Sequence, residues 1–103
     1  MKPMDGKMRK LLTIVTEAAI EKSVIRDIER KGAHGYTITD ARGKGDRGVR
    51  DASWETSGNI RIEVVCSEET AEMITAHLKA QYYENYAMIM FMSDVVVLRP
   101  EKF

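Results

Sequence analysis

The stretch MRKLLTIVTEAAIEKSVIRDIERKG, residues 8–32, changes its hydrophobic period half-way along. Up to Thr16 it is almost continuously apolar, with Leu11, Leu12, Ile14 and Val15 packed into it. Such a run, rich in β-branched residues, predicts a strand over residues 8–16 covered on both faces. From residue 17 to 31 the apolar side chains Ile20, Val24 and Ile28 recur four apart. Glu21, Lys22, Arg26, Asp27, Glu29 and Arg30 fill the positions between them. This is the stripe of an amphipathic helix, which Gly32 can end because glycine accepts a left-handed backbone.

Downstream, Tyr36-Thr37-Ile38-Thr39 is a β-rich tetrad and reads as a second strand. Residues 40–58 then lose all periodicity and collect Gly43, Gly45, Gly48 and Gly58. Nineteen irregular residues are long for a connection in so small a chain, which points to a functional loop. Residues 59–65 alternate Ile60, Ile62 and Val64 with Arg61 and Glu63, a strand with one wet face. Ser67 suits the cap of a following helix, and Glu68 and Glu69 suit the positive end of its dipole. That helix runs to about residue 83 with Ala71, Ile74, Leu78 and Tyr82 on one stripe. Residues 87–98 form a last, strongly apolar strand, closed by Pro100. The order strand, helix, strand, strand, helix, strand predicts an α+β fold, a ferredoxin-like βαββαβ sandwich. Four antiparallel strands would carry two helices on one face. The other face would expose Leu11, Thr13 and Val15 or their alternates, together with Met90, Met92 and Val96, so self-association is expected.

Composition bounds the function. The 103 residues are expected to form a single domain, 1–103. Sixteen Lys and Arg balance sixteen Asp and Glu, and zero net charge disfavours a protein that holds nucleic acid or an anionic membrane by bulk electrostatics. A 44% hydrophobic content is too high for a disordered chain. Cys66 has no partner for an internal disulfide, and no secretory h-region is visible at the start, so the cytoplasm is the expected compartment. No apolar run approaches the roughly 18–20 residues of a membrane span.

The strongest local signal is Arg42-Gly43-Lys44-Gly45-Asp46-Arg47-Gly48-Val49-Arg50, with four cations and one acid. Glycines let a backbone approach a ligand, while Arg and Lys supply charged donors for phosphate oxygens. A basic loop whose glycines merely permit turns is the competing reading. The run lacks the Ser/Thr after Gly-Lys of a P-loop, and no helix follows to make it a dinucleotide fingerprint. His34 and His77 share no metal-ligand spacing with Cys66 and read as surface or satisfied histidines. Met88, Met90 and Met92 form a period-2 stripe suited to core or interface packing. Glu17, directly after the first strand, suits either a ligand contact or the charge preference of a helix start. Trp54 either anchors a partner or folds back on its own assembly.

Taken together, Leu12-Thr13-Ile14-Val15-Thr16-Glu17, Gly35-Tyr36-Thr37, the run Gly43 to Arg50, and Tyr86-Ala87-Met88-Ile89-Met90 resemble the PII signal-transduction superfamily. The resemblance spans residues 10–98 and is greatest to the PII-like branch that includes SbtB-type and carboxysome-associated proteins. It implies a homotrimer with adenine nucleotide in the clefts between subunits. By position, Gly35 and Thr37 would line the cleft, and Gly43, Lys44 and Gly45 would begin the T-loop, about residues 40–58, touching phosphate or ribose. Arg47 and Arg50 would hold the phosphate, and the backbone of Met88 and Ile89 would read the adenine edge. SbtB relatives usually carry glycine where this chain has Met88. Residues 83–86, Tyr-Glu-Asn-Tyr, replace the glycine-rich phosphate loop of the nitrogen-sensing members. The SbtB C-terminal cysteine hairpin has no counterpart before Phe103, and redox control is not expected.

The resemblance therefore implies a non-enzymatic sensor of AMP or ADP, with cAMP and ATP as further candidates, bicarbonate as co-ligand and no metal or other cofactor. Its partner would be a bicarbonate transporter or a carboxysome-related protein. Alternatives are a small nucleotide hydrolase using Glu17 or Asp46 with a metal, a nitrogen-regulatory PII sensor, and a metal-responsive trimer of the CutA-like kind.

Overall fold

The computed structural model describes residues 6–43 and 58–99. In chain order the elements are β1 (Lys7–Glu17), a 3₁₀ turn (Ala18–Ile20), α1 (Glu21–Arg30), β2 (Thr37–Ala41), β3 (Asn59–Cys66), α2 (Glu68–Tyr82) and β4 (Met88–Val97). The strands form one sheet in the order β2-β3-β1-β4, and every neighbouring pair is antiparallel. This is the predicted ferredoxin-like α+β sandwich.

Register explains where the core lies. Leu12, Ile14 and Thr16 of β1 stand opposite Val64, Ile62 and Ile60 of β3 and opposite Met92, Met90 and Met88 of β4. Side chains two apart on a strand share a face, so these rows all point to one side of the sheet. Val24 and Ile28 of α1 and Ala71, Ile74, Leu78 and Tyr82 of α2 meet them there in a single buried cluster. Both helices consequently cover the same face. Each fully buried Ile or Leu contributes about 1.5–3 kcal/mol of hydrophobic stabilisation.

Three expectations need correction. The strand predicted to be covered on both faces is covered on one: Leu12 and Ile14 are fully buried, whereas Leu11 and Val15 are only half-buried on the open side. Thr13, also on the open side, is buried because β1 is central and Phe91 and Glu63 flank it in register. The phase assigned to the last strand is also reversed. Met90 packs half-buried against the helix-side core, while Ile89 and Phe91 face the open side at 57% and 53% exposure. Met92 and Val96 are exposed, yet they stand opposite Leu12 and Met8, on the helix side of the sheet. Finally, Asp40 and Ala41 belong to β2 and not to the loop that follows.

Helix ends follow local chemistry. The Ser67 hydroxyl accepts the Thr70 N–H at 3.1 Å and caps α2. At the end of α1, Gly32 takes φ 110°. Its N–H reaches the Glu29 carbonyl at 3.1 Å, and the Ala33 N–H reaches the Ile28 carbonyl at 3.0 Å. This is a Schellman stop, with Ala33 tucked into the core. Among the described residues, no helix is long and apolar enough to cross a membrane.

Candidate functional site

The antiparallel order gathers four strand ends at one end of the sheet. Ala41 of β2, Asn59 of β3 and Glu17 of β1 lie in one row across the sheet, and Met88 of β4 stands opposite Thr16 beside them. The long loop leaves the sheet after Ala41 and re-enters at Asn59, at this same end.

Continuing the β1–β4 register would place Glu17 opposite Ala87, but the ladder stops at Thr16 and side chains take over. The Ala87 N–H donates to the Glu17 carboxylate at 2.7 Å. The Ala87 carbonyl accepts the Thr16 hydroxyl at 2.8 Å. Two consecutive residues thus fix both polar groups of the residue that immediately precedes β4. One residue further on, the Ala18 N–H donates to the Gly58 carbonyl at 2.7 Å, which ties down the returning end of the long loop. Of the two readings the sequence allowed for Glu17, a ligand contact or a helix start, the structure does not bear out the helix start. Glu17 closes β1, makes no side-chain cap to the 3₁₀ turn, and α1 begins only at Glu21.

Helix α2 positions the other side of this segment. The N–H groups of Asn85 and Tyr86 both reach the Tyr82 carbonyl, at 3.2 and 2.9 Å, so residues 83–86 turn tightly off the helix end. Tyr86 packs edge-on against Tyr82 with centroids 5.9 Å apart. Tyr82 is held in turn by Asp27 of α1, whose carboxylate accepts its hydroxyl at 2.6 Å. Burial, and then the bond and charge of Asp27, push the Tyr82 phenol up to about 12.

The residues expected to bind nucleotide fall into two groups. Gly35 lies in the connection before β2, Thr37 opens β2 with its side chain exposed, and Gly43 follows β2 in open space. Met88 and Ile89 open β4, with Met88 half-buried on the helix side and Ile89 exposed on the open side. Lys44, Gly45, Arg47 and Arg50, with Asp46 and Trp54, lie outside the described residues. Strands β2 and β4 are opposite edges of the sheet, with β3 and β1 between them. At about 4.8 Å per strand the edges stand roughly 14 Å apart. One chain therefore does not bring the described members of the two groups together. Thr16 and Ala87 were not singled out from sequence. The available signal was a hydroxyl at Thr16, on the same phase as Leu12 and Ile14, where an apolar residue would be expected.

Compared with known proteins, residues 9–102 match the family model of the nitrogen regulatory protein P-II. The chain belongs to the P-II family. Among solved structures it is similar to a PII-like signaling protein of Thermus thermophilus, with 46% identity over 97% of this chain and 99% of that one, at a TM-score of 0.82. It is also similar to CPII of Thiomonas intermedia bound to ADP and bicarbonate, with 27% identity over 97% of this chain and 98% of the other, at a TM-score of 0.85. CPII bound to ADP, AMP and acetate matches at 26% identity over 97% and 98% of the two chains, at a TM-score of 0.84. This P-II chain is thus a PII-like regulatory protein, and it shares the overall fold of these relatives.

Proposed function

We propose that this chain is a cytoplasmic, non-enzymatic sensor that binds AMP or ADP, with bicarbonate as co-ligand, in clefts between the subunits of a homotrimer. The observation that carries the reading is its match, over nearly the whole of both chains, to CPII bound to ADP and bicarbonate. Two features of the chain support it. Of the residues expected to contact nucleotide, the described ones stand at or beside opposite edges of the sheet, as a cleft shared by neighbouring subunits would require. The open face, with Ile89 and Phe91 exposed, supplies apolar surface for assembly.

In this reading Arg47 and Arg50, with Lys44, pair the phosphate charge, Gly35, Thr37, Gly43 and Gly45 let the ligand approach the chain, and the backbone at Met88 and Ile89 reads the adenine edge. Phosphate pairing orders the loop after Ala41 and changes what it presents to a bicarbonate transporter or a carboxysome-related protein. Calorimetry with AMP and ADP tests this. Replacing Arg47 and Arg50 together with alanine should weaken binding by about 3 kcal/mol or more, since charge-assisted bonds contribute roughly 1.5–3 kcal/mol each. Equal affinity of the double variant and the native chain would overturn the assignment, and turnover of the nucleotide would move it to the hydrolase class.

A further inference from the structure

The bonds around Glu17 and Ala18 lie at the junction of two segments that the nucleotide reading treats separately. The Glu17 carboxylate holds the Ala87 N–H at 2.7 Å, immediately before the Met88–Ile89 backbone. The Ala18 N–H holds the Gly58 carbonyl at 2.7 Å, immediately before the loop rejoins the sheet at Asn59. The two bonds leave adjacent residues of one chain and run to segments on either side of β1. The hydroxyl of Thr16, a buried residue, fixes the Ala87 carbonyl at 2.8 Å, so the peptide groups on both sides of Ala87 are held. A displacement of the Ala87 backbone must therefore either break a charge-assisted bond or pull on Glu17, and through it on Ala18 and Gly58. The carboxylate is well placed for this because the backbone ladder has already ended at Thr16 opposite Met88.

We infer that Glu17 is a positioning residue that couples the Ala87–Ile89 backbone to the loop anchor at Gly58, so that a nucleotide held at the former is felt at the latter. The inference rests on the nucleotide reading above and names the regulation of that same site. Glu17 itself touches no ligand in this scheme. It acts through the Ala87 N–H on one side and through its neighbour Ala18 on the other.

The test uses the full chain as native protein, as Glu17→Ala and as Glu17→Gln, with ADP as the probe. Amide resonances of Ala87 and Ala18 are followed by NMR, and affinity is measured by calorimetry. In the native protein the Ala87 amide should lie downfield, as expected for a donor to a carboxylate, and ADP should shift both amides. Glu17→Ala should move Ala87 upfield, weaken ADP about tenfold and abolish the ADP response of Ala18. Glu17→Gln keeps an acceptor oxygen and should restore most of the affinity and the Ala18 response, which a general loss of folding would not do. If the native chain binds no ADP, the nucleotide reading falls and this coupling falls with it. If the native chain binds ADP and Glu17→Ala binds it equally well with an unchanged Ala18 response, the coupling alone is overturned.

Discussion

The Tyr82 hydroxyl donates to the Asp27 carboxylate at 2.6 Å, joining the two helices across 55 residues of sequence. His77 Nε2 lies 3.4 Å from the same oxygen. Asp27 is thus a shared acceptor between the two helices, and the hydroxyl of Tyr82, a buried residue, is its nearer donor. Tyr82→Phe keeps the ring and its edge contact with Tyr86 but leaves the carboxylate short of a donor. A hydrogen bond to a charged group contributes about 1.5–3 kcal/mol, so the variant should lose about 2 kcal/mol in urea unfolding. A loss below a few tenths would show that water replaces the hydroxyl.

The same phenol gives an alkaline signature. Burial first, then the Asp27 bond and charge, raise its titration from 10.0 to about 12 in the folded chain. The folded state therefore holds a proton that the unfolded state has released. The stabilisation is complete below pH 10, declines as pH rises through the window up to about 12, and is lost above it. Urea midpoints followed across that window should fall more steeply for the native chain than for Tyr82→Phe. Parallel curves would contradict this.

Gly32 is the residue where conformation, not space, forbids a side chain. Nothing lies closer than 3.6 Å to a Cβ built there, yet its φ is +110°. Gly32→Ala should cost about 1–2 kcal/mol through strain alone. Gly35→Ala, with no neighbour within 4 Å and no positive φ, should cost much less. Thermal denaturation of the two variants side by side measures the difference.

Phe91 on the open face offers a test of assembly. A charge placed there has little to clash with in an isolated chain, because Phe91 is 53% exposed. Phe91→Asp should leave the far-ultraviolet spectrum unchanged while shifting sedimentation from an oligomer to a single chain. Native-like sedimentation of the variant would exclude this face as the assembly surface.

Cys66 is buried at the end of β3, and burial pushes its thiol up from 9.0. The thiolate is the reactive form, so the folded chain should react with a disulfide reagent far more slowly at neutral pH than the urea-unfolded chain. Similar rates would mean that this end of the sheet opens readily.

Features set by near neighbours were legible in the sequence. The stripe Val24 and Ile28, the Ser67 cap and the Gly32 stop each depend on residues within a turn or two, and each stands where its pattern placed it. Ile20 instead falls in the 3₁₀ turn, because the helix expected from residue 17 begins only at Glu21. The face of β4 was not legible, because Met88, Met90 and Met92 on one phase are no more apolar than Ile89 and Phe91 on the other. Only the register with β1, which sets Met90 against Ile14, decides which row meets the helices. The role of Glu17 was hidden for a related reason. A carboxylate after a strand suits a helix start equally well, and its partner Ala87 lies 70 residues away. The basic run 42–50 was picked out by its own glycines and cations, and the other candidate site residues by family resemblance. The division of the described ones between two edges became visible only with the sheet order.

That sheet order constrains how copies of this chain can meet. A ligand that needs both β2 and β4 must sit where the β2 edge of one copy faces the β4 edge of the next. Such a contact joins unlike surfaces, and where it is made head to tail with a rotation that closes, the copies form a ring. In a ring of this kind there are as many sites as subunits, and none survives in a separated chain. A ligand held there would act as a fastener: by mass action it would hold the ring closed, and dilution of the protein alone would empty the sites.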